Sequence, residues 1–331
     1  MSYLLEPLET KNLKLANRLV MPPMATEKSD EKGLVTRELV DYYDEKTKGG
    51  HLGLVIVEHS FVSPGGKASP RQLSAADDST AEGLGKLARV IRANGSKAVL
   101  QINHAGSATT EEIIGSPPAG PSAVTNPRKK TKPRELTGLD IENIITAFGD
   151  AARRAKTAGF DGVEIHSAHG FLLNQFYSPL TNKRTDQYGG ALNNRLAIHF
   201  RVIKAVRKAV GKEFPLLLRL GASDYMEGGN TVEESKVAAR ELEKAGVNFL
   251  DISGGLSGYT IPGLTGQGFF APLTEAIKKV VSAPVILTGG VTEPEAADKL
   301  LADKKADLIG VGRAIFKDSS WAKRAVESLR Q

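Results

Sequence analysis

The chain has 331 residues, 40% of them hydrophobic and 25% charged, with 34 glycines, a composition that excludes a disordered or fibrous protein. It contains no cysteine, so disulfides, thiolate zinc sites, iron–sulfur ligation and cysteine nucleophiles are excluded together. The formal charge of +6 is compatible with anionic ligands or with nucleic acid and does not choose between them.

Glu6 and Glu9 stand where a signal peptide would place a basic patch and an apolar stretch, and no apolar run approaches bilayer length. A cytoplasmic protein without a membrane partner is expected. Eight apolar segments alternate with amphipathic ones: Arg18 to Met21, Leu54 to Glu58, Lys97 to Ile102, Gly162 to His166, Pro215 to Leu220, Asn248 to Ser253, Pro284 to Thr288 and Asp307 to Val311. Rich in Val, Ile and Leu without polar alternation, they read as parallel strands covered on both faces.

Helix starts are legible between them. Thr137, Thr231 and Thr292 each precede an acid by three residues (Asp140, Glu234, Glu295), the spacing of a capping box. Ile141, Ile144, Ile145, Phe148 and Ala152 share one helical face, and Gly159 and Gly246 stand at two helix ends. The expected fold is a (βα)8 TIM barrel forming one domain over residues 1–331. An open doubly wound sheet is the alternative, but no GxGxxG turn follows the first strand. Two stretches, 103–136 and 167–193, read as long loops over the C-terminal face, where barrel active sites lie. Within the first, Arg128, Lys129, Lys130, Lys132 and Arg134 form a basic run without interleaved aromatics. It reads as a solvated loop rather than a nucleic-acid surface; the sharper alternative is attraction of a cofactor phosphate or an acyl-CoA.

Polar, Gly or Pro residues follow every apolar strand and converge on one rim. Gly289 and Gly290 after the seventh strand, with Gly312 and Arg313 after the eighth, offer unobstructed backbone N–H groups and a fork-shaped cation suited to a phosphate. His166 and His169 can each donate an N–H to one substrate oxygen; no further ligand supports a metal there. Gln101 can pair both amide groups with an imide-like edge, and Arg219 is a buried cation needing an anionic or electron-rich partner. His51, His104 and His199 default to structural roles.

The runs NRLVMPPM, GLVIVEHSFVSPGG, LQINHAG, AGFDGVEIHSAHGFLLNQFYSPLTNKRTDQYGG and ADLIGVGR resemble the Old Yellow Enzyme family of FMN-dependent oxidoreductases across essentially the whole chain. The resemblance implies FMN over the C-terminal rim, lined by Pro22, Pro23, Met24, Ala25 and His59. Gln101 would meet the pyrimidine edge, Arg219 the N1/O2 side, and Gly289, Gly290, Gly312 and Arg313 the phosphate. His166 and His169 would hold the carbonyl oxygen of an activated alkene. Hydride would pass from NAD(P)H through flavin N5 to the alkene β-carbon by ping-pong turnover, in a dimer or tetramer.

Three departures accompany the resemblance. Phe171 stands where the family usually has a proton-donating tyrosine, leaving water, Tyr177 or Tyr259 as the acid. Ala25 and Glu27 replace a redox-tuning cysteine and a substrate-contacting tyrosine. With its end at Gln331, the chain is expected to lack the extra flavin and iron–sulfur modules of larger relatives. The rival readings are a flavin-binding sensor with weak turnover and another FMN barrel, of which the tRNA-dihydrouridine type needs a cysteine acid that is absent.

Overall fold

Eight strands close into a parallel barrel in the computed structural model, which describes residues 2–330; Met1 and Gln331, the outer bounds of the expected domain, lie outside. They are β1 (Leu19–Met21), β2 (Leu54–Phe61), β3 (Lys97–Asn103), β4 (Gly162–Ser167), β5 (Leu216–Gly221), β6 (Phe249–Ser253), β7 (Val285–Thr288) and β8 (Leu308–Gly310). Each pairs with its neighbour in sequence, and β8 closes on β1. The TIM barrel expected from the eight apolar runs is the fold present, though several strands begin one residue later than predicted. Two of those positions are Pro215 and Pro284, which have no N–H to give a ladder. At two others the side chain takes over: Asn248 Oδ1 accepts from Leu216 N at 3.0 Å and Asp307 Oδ2 from Val285 N at 2.9 Å.

Alternate residues of each strand face opposite ways, so the strands divide their apolar side chains between two cores. Val20, Leu54, Ile56, Val99, Leu217, Phe249, Ile286 and Leu308 fill the barrel interior, where Leu13 and Leu15 of an N-terminal hairpin join them. Their sequence neighbours, such as Leu19, Val55, Leu100, Val163, Leu218 and Leu287, pack outward against the helices.

Those helices are α1 (Arg37–Thr47), α2 (Ala81–Ala93), α3 (Gly138–Thr157), α4 (Ala197–Val210), α5 (Val232–Lys244), α6 (Ala271–Lys278), α7 (Pro294–Ala302) and α8 (Trp321–Leu329). α3 and α5 carry the predicted capping boxes at Thr137/Asp140 and Thr231/Glu234, and the predicted face of α3 is buried. The third box does not form. Pro294 occupies the first turn of α7, so Glu293 becomes the N-cap, and Thr292 turns its N–H to Gln267 Oε1 instead.

The two long segments leave the C-terminal ends of β3 and β4 but are not wholly irregular. The first holds a short helix (Glu111–Ile114) and a two-stranded ribbon (Ala119–Gly120 with Arg134–Glu135); the second holds helices Leu172–Tyr177 and Leu192–Arg195. A third rim loop, 254–270 after β6, was not singled out from the sequence. Among the described residues no helix is long and apolar enough to cross a membrane.

Candidate active site

One step above the apolar interior layer, the inward positions turn polar. Gln101 on β3, Glu164 on β4, Arg219 on β5 and Asp251 on β6 are all buried. Gln101 Nε2 donates to Glu164 Oε1 at 2.8 Å, and Arg219 Nε lies 3.1 Å from Asp251 Oδ2 without the alignment of a hydrogen bond. Burial, reinforced by the Asp251 charge, holds the Glu164 carboxyl well above the usual carboxylate range; burial also raises Asp251, against the pull of Arg219. Among the described residues the terminal nitrogens of Arg219 and the Gln101 carbonyl oxygen have no partner and are not sealed off, which leaves them open at the barrel mouth.

His166 and His169 meet at the end of β4, their rings 5.0 Å apart and nearly perpendicular. His169 has left-handed backbone (φ 59°), which turns its side chain back towards His166, and its N–H is tied to Gly254 O at 3.2 Å. Burial and neighbouring positive or titratable groups push both imidazoles well below the ordinary histidine range, so both are neutral at pH 7. His166 Nδ1 is sealed without a partner, while His169 Nε2 lies 2.7 Å from Ser253 Oγ. The nitrogens left to face a ligand are His166 Nε2 and His169 Nδ1. Phe171 packs at 4.9 Å from the His166 ring and 5.3 Å from that of His59.

The β1 to β2 side completes the rim. A bulge in β2 between Val57 and Ser60 re-aims His59, whose Nδ1 takes the amides of Gln72 (2.8 Å) and Asn103 (3.3 Å), leaving its proton on Nε2. Burial, then Arg219, lowers His59 to about 4. Pro22, Pro23, Met24 and Ala25 run outward from β1, from buried Pro22 to exposed Ala25, and Thr26 Oγ1 anchors the segment by donating to Glu58 Oε2 at 2.6 Å. Glu58 is pushed up to about 7 by its burial.

Gly289, Gly290, Gly312 and Arg313 follow β7 and β8 as predicted. Gly290 has φ 73°, and a Cβ there would run into Gly266 O, so only glycine serves. A cavity of about 350 Å³ lined by Gly290, Arg313, Gly266, Gln267, Thr260 and Phe269 opens beside them. Arg313 is exposed and forms no ion pair among the described residues.

Tyr177 is not at this rim. It is fully buried, its hydroxyl 2.8 Å from Ser235 Oγ, and burial raises its pKa. Tyr259 is exposed with its ring 5.6 Å from that of His169. His104 Nδ1 accepts from Gly106 N, and His199 Nε2 meets Ser167 Oγ. Glu164 and Asp251 were missed because each sits inside a run that reads as buried strand; the available signal was a lone carboxylate inside an otherwise apolar run. Ser253 lies on the rim where the sequence puts it, and the structure adds its contact with His169.

A profile described as the NADH:flavin oxidoreductase / NADH oxidase family matches residues 3–331. The chain belongs to this family. It is 45% identical over 322 residues to an NADH oxidase of Thermoanaerobacter brockii, covering 96% of this chain and 49% of that protein. A metal reductase of Desulforamulus reducens is 38% identical, again with 49% of its length covered, so the chain spans about half the length of these two. An NADPH dehydrogenase of Clostridium acetobutylicum is 37% identical with 90% of its length covered. Among solved structures, a 2-naphthoyl-CoA reductase complex superposes with a TM-score of 0.93 at 31% identity, over 98% of this chain and 52% of that one. Morphinone reductase with tetrahydroNAD superposes at 0.85 and 27% identity, over 98% and 90%.

Membership in this oxidoreductase family brings FMN and NAD(P)H as cofactors, and the residues present fit FMN. The terminal nitrogens of the Arg219 guanidinium, whose Nε faces Asp251, and the Gln101 amide oxygen stand at the barrel mouth, where an imide-like ring edge needs them. The glycine turn beside an unpaired Arg313 suits a phosphate.

Proposed function

We propose that the chain is an ene-reductase that takes reducing equivalents from NAD(P)H and passes them to α,β-unsaturated carbonyl compounds. The observation that carries this reading is the His166/His169 pair, two neutral imidazoles with rings 5.0 Å apart at the end of β4, each with one nitrogen left for a ligand. When bound, FMN supplies the capacity to accept hydride from NAD(P)H and deliver it to the alkene β-carbon.

The chain's own groups do the rest. Gln101 and Arg219 orient the pyrimidine edge of the ring system; Pro22, Pro23, Met24, Ala25 and His59 line it; Gly289, Gly290, Gly312 and Arg313 hold its phosphate. His166 Nε2 and His169 Nδ1 donate to the substrate oxygen and stabilise the negative charge that grows there as hydride arrives. Ser253 Oγ lies 2.7 Å from His169 Nε2, and in this reading it is the donor, which keeps the His169 proton on Nδ1. Phe171 closes the pocket without offering a proton, and Tyr259, its ring 5.6 Å from that of His169, is the candidate proton donor to the α-carbon. The naphthoyl-CoA reductase complex is a reason to include conjugated thioesters with enones among the substrates.

The test is anaerobic. NADH or NADPH should bleach the purified yellow protein, and cyclohexenone or an unsaturated thioester should restore the colour. Bleaching without recovery on any activated alkene overturns the reading in favour of a flavin-binding sensor.

A further inference from the structure

Residues 126–134 form a tight basic turn beside the histidine pair. Asn126 Oδ1 accepts the N–H groups of both Arg128 and Lys129 at 2.9 Å, and Asn126 N donates to Thr131 O at 2.8 Å. Thr131 Oγ1 and Asn126 Nδ2 tie the turn to Ser107, and Lys130 takes the left-handed backbone that closes it (φ 59°). With the local backbone satisfied in this way, the lysine side chains of the turn are left to solvent. Arg134 is paired with Asp140 at 2.7 Å, but Arg128, Lys129, Lys130 and Lys132 are exposed and form no ion pair among the described residues.

The turn is not remote from the chemistry. Arg128 Nη1 donates to His169 O at 3.1 Å, and a Cβ on Gly258 would lie 2.9 Å from that same nitrogen. The guanidinium is therefore wedged between the loops that follow β4 and β6, next to Tyr259, whose ring faces His169. Arg128 thus stands against the backbone of His169, and the lysines follow it in the same turn.

Four adjacent cations without a carboxylate repel one another, a cost offset by a ligand carrying several negative charges and not by a single carboxylate. No aromatic side chain lies within the run to stack a base. We propose that the 126–132 turn is a phosphate clamp at the entrance, which holds the phosphate-bearing tail of the molecule reacting at the histidine pair. The inference rests on the ene-reductase reading for the place of that molecule. Two reactants share the chemistry: the nicotinamide dinucleotide, and an alkene carried as a thioester on a phosphorylated carrier such as coenzyme A.

The experiment uses the holoenzyme and a Lys129→Gln/Lys130→Gln/Lys132→Gln variant, with Arg128 kept because it supports His169. Stopped-flow absorbance follows reduction by NADPH, reoxidation by neutral cyclohexenone and reoxidation by crotonyl-CoA across a salt series. Calorimetry measures coenzyme A binding to the oxidised protein. The second-order rate constant for a phosphate-bearing reactant is expected to fall about tenfold and to lose its salt dependence, with cyclohexenone unaffected. A loss confined to crotonyl-CoA, with weaker coenzyme A binding, assigns the clamp to the alkene carrier; a loss confined to NADPH assigns it to the dinucleotide. Equal rates for variant and parent in every arm, or an equal loss with cyclohexenone, overturns the clamp. If the parent reduces neither alkene, the ene-reductase reading fails instead, while the NADPH and coenzyme A arms still decide the clamp.

Discussion

Gln101 Nε2 donates to Glu164 Oε1 across 2.8 Å, with both side chains buried and their residues paired in register between β3 and β4. The bond fixes which end of the Gln101 amide faces the mouth: the NH2 is engaged, and the carbonyl oxygen is left to accept from a ring N–H. Glu164→Leu should leave a buried donor unpaired, costing about 1–3 kcal/mol in chemical denaturation and loosening FMN, while Glu164→Gln restores a partner and most of both properties. A leucine variant that holds FMN as tightly as the parent would remove Glu164 from this role.

Among the described residues Arg313 pairs with no carboxylate, so truncating it should act on the ligand alone. One charge-assisted phosphate contact contributes about 1.5–3 kcal/mol, which makes Arg313→Ala about ten- to a hundredfold weaker for FMN. Flavin fluorescence released on dialysis measures it, and unchanged occupancy contradicts the phosphate assignment.

Ser253 and the histidine pair separate the two half-reactions. Replacing His166 and His169 together with Ala should slow enone-driven reoxidation by about 10²–10³ while reduction by NAD(P)H changes far less, because only the enone builds charge on the held oxygen. Ser253→Ala should follow the same pattern more mildly, since it frees the tautomer of His169 and leaves the ring in place. Equal slowing of both half-reactions by either variant marks a structural role.

Phe171 and Tyr259 frame the question of the proton. General-acid assistance is typically about 10²- to 10⁴-fold, so Phe171→Tyr should accelerate reoxidation by simple cyclic enones and leave flavin reduction unchanged. If Tyr259 is the donor, Tyr259→Phe slows the same step; if neither substitution alters it, solvent supplies the proton. Single-turnover rates in H2O and D2O discriminate these outcomes.

Glu58 makes stability depend on pH in a direction that can be assigned. Its folded pKa of about 7 lies above the ordinary 4.5, so the native state binds more protons than the unfolded state between these values, and stability from this group falls as pH rises through 7. His59 and His104, lowered to about 4, act oppositely: their contribution is present above pH 6.5 and is lost as pH falls through 4. Glu58→Gln should therefore raise the melting temperature at pH 8 relative to the parent and leave the acid limb intact. A parallel shift at all pH values would show that Glu58 does not titrate in that window.

The repeating apolar runs determined the barrel before any coordinate was known. A strand covered on both faces has to read as continuous Val, Ile and Leu, and Gly289, Gly290, Gly312 and Arg313 declare themselves because flexible backbone next to a cation interrupts such runs at their ends. Local chemistry was equally legible at Thr137 and Thr231, where a cap needs only its own third neighbour. The Thr292 box failed because Pro294 imposes the helix start from inside the same window. What the sequence could not contain was direction and proximity between strands far apart in the chain. Glu164 becomes a partner of Gln101, and Ser253 of His169, only because closure of the barrel brings β3 beside β4 and the end of β6 near the end of β4. Tyr177 and Tyr259 were equivalent as candidate donors by type; tertiary packing buried the first against Ser235 and left the second facing His169. The same closure carried Arg128 from a run that reads as solvated loop to the carbonyl of His169, since a rim assembled from eight separate loops sets its contacts by barrel geometry rather than by sequence separation.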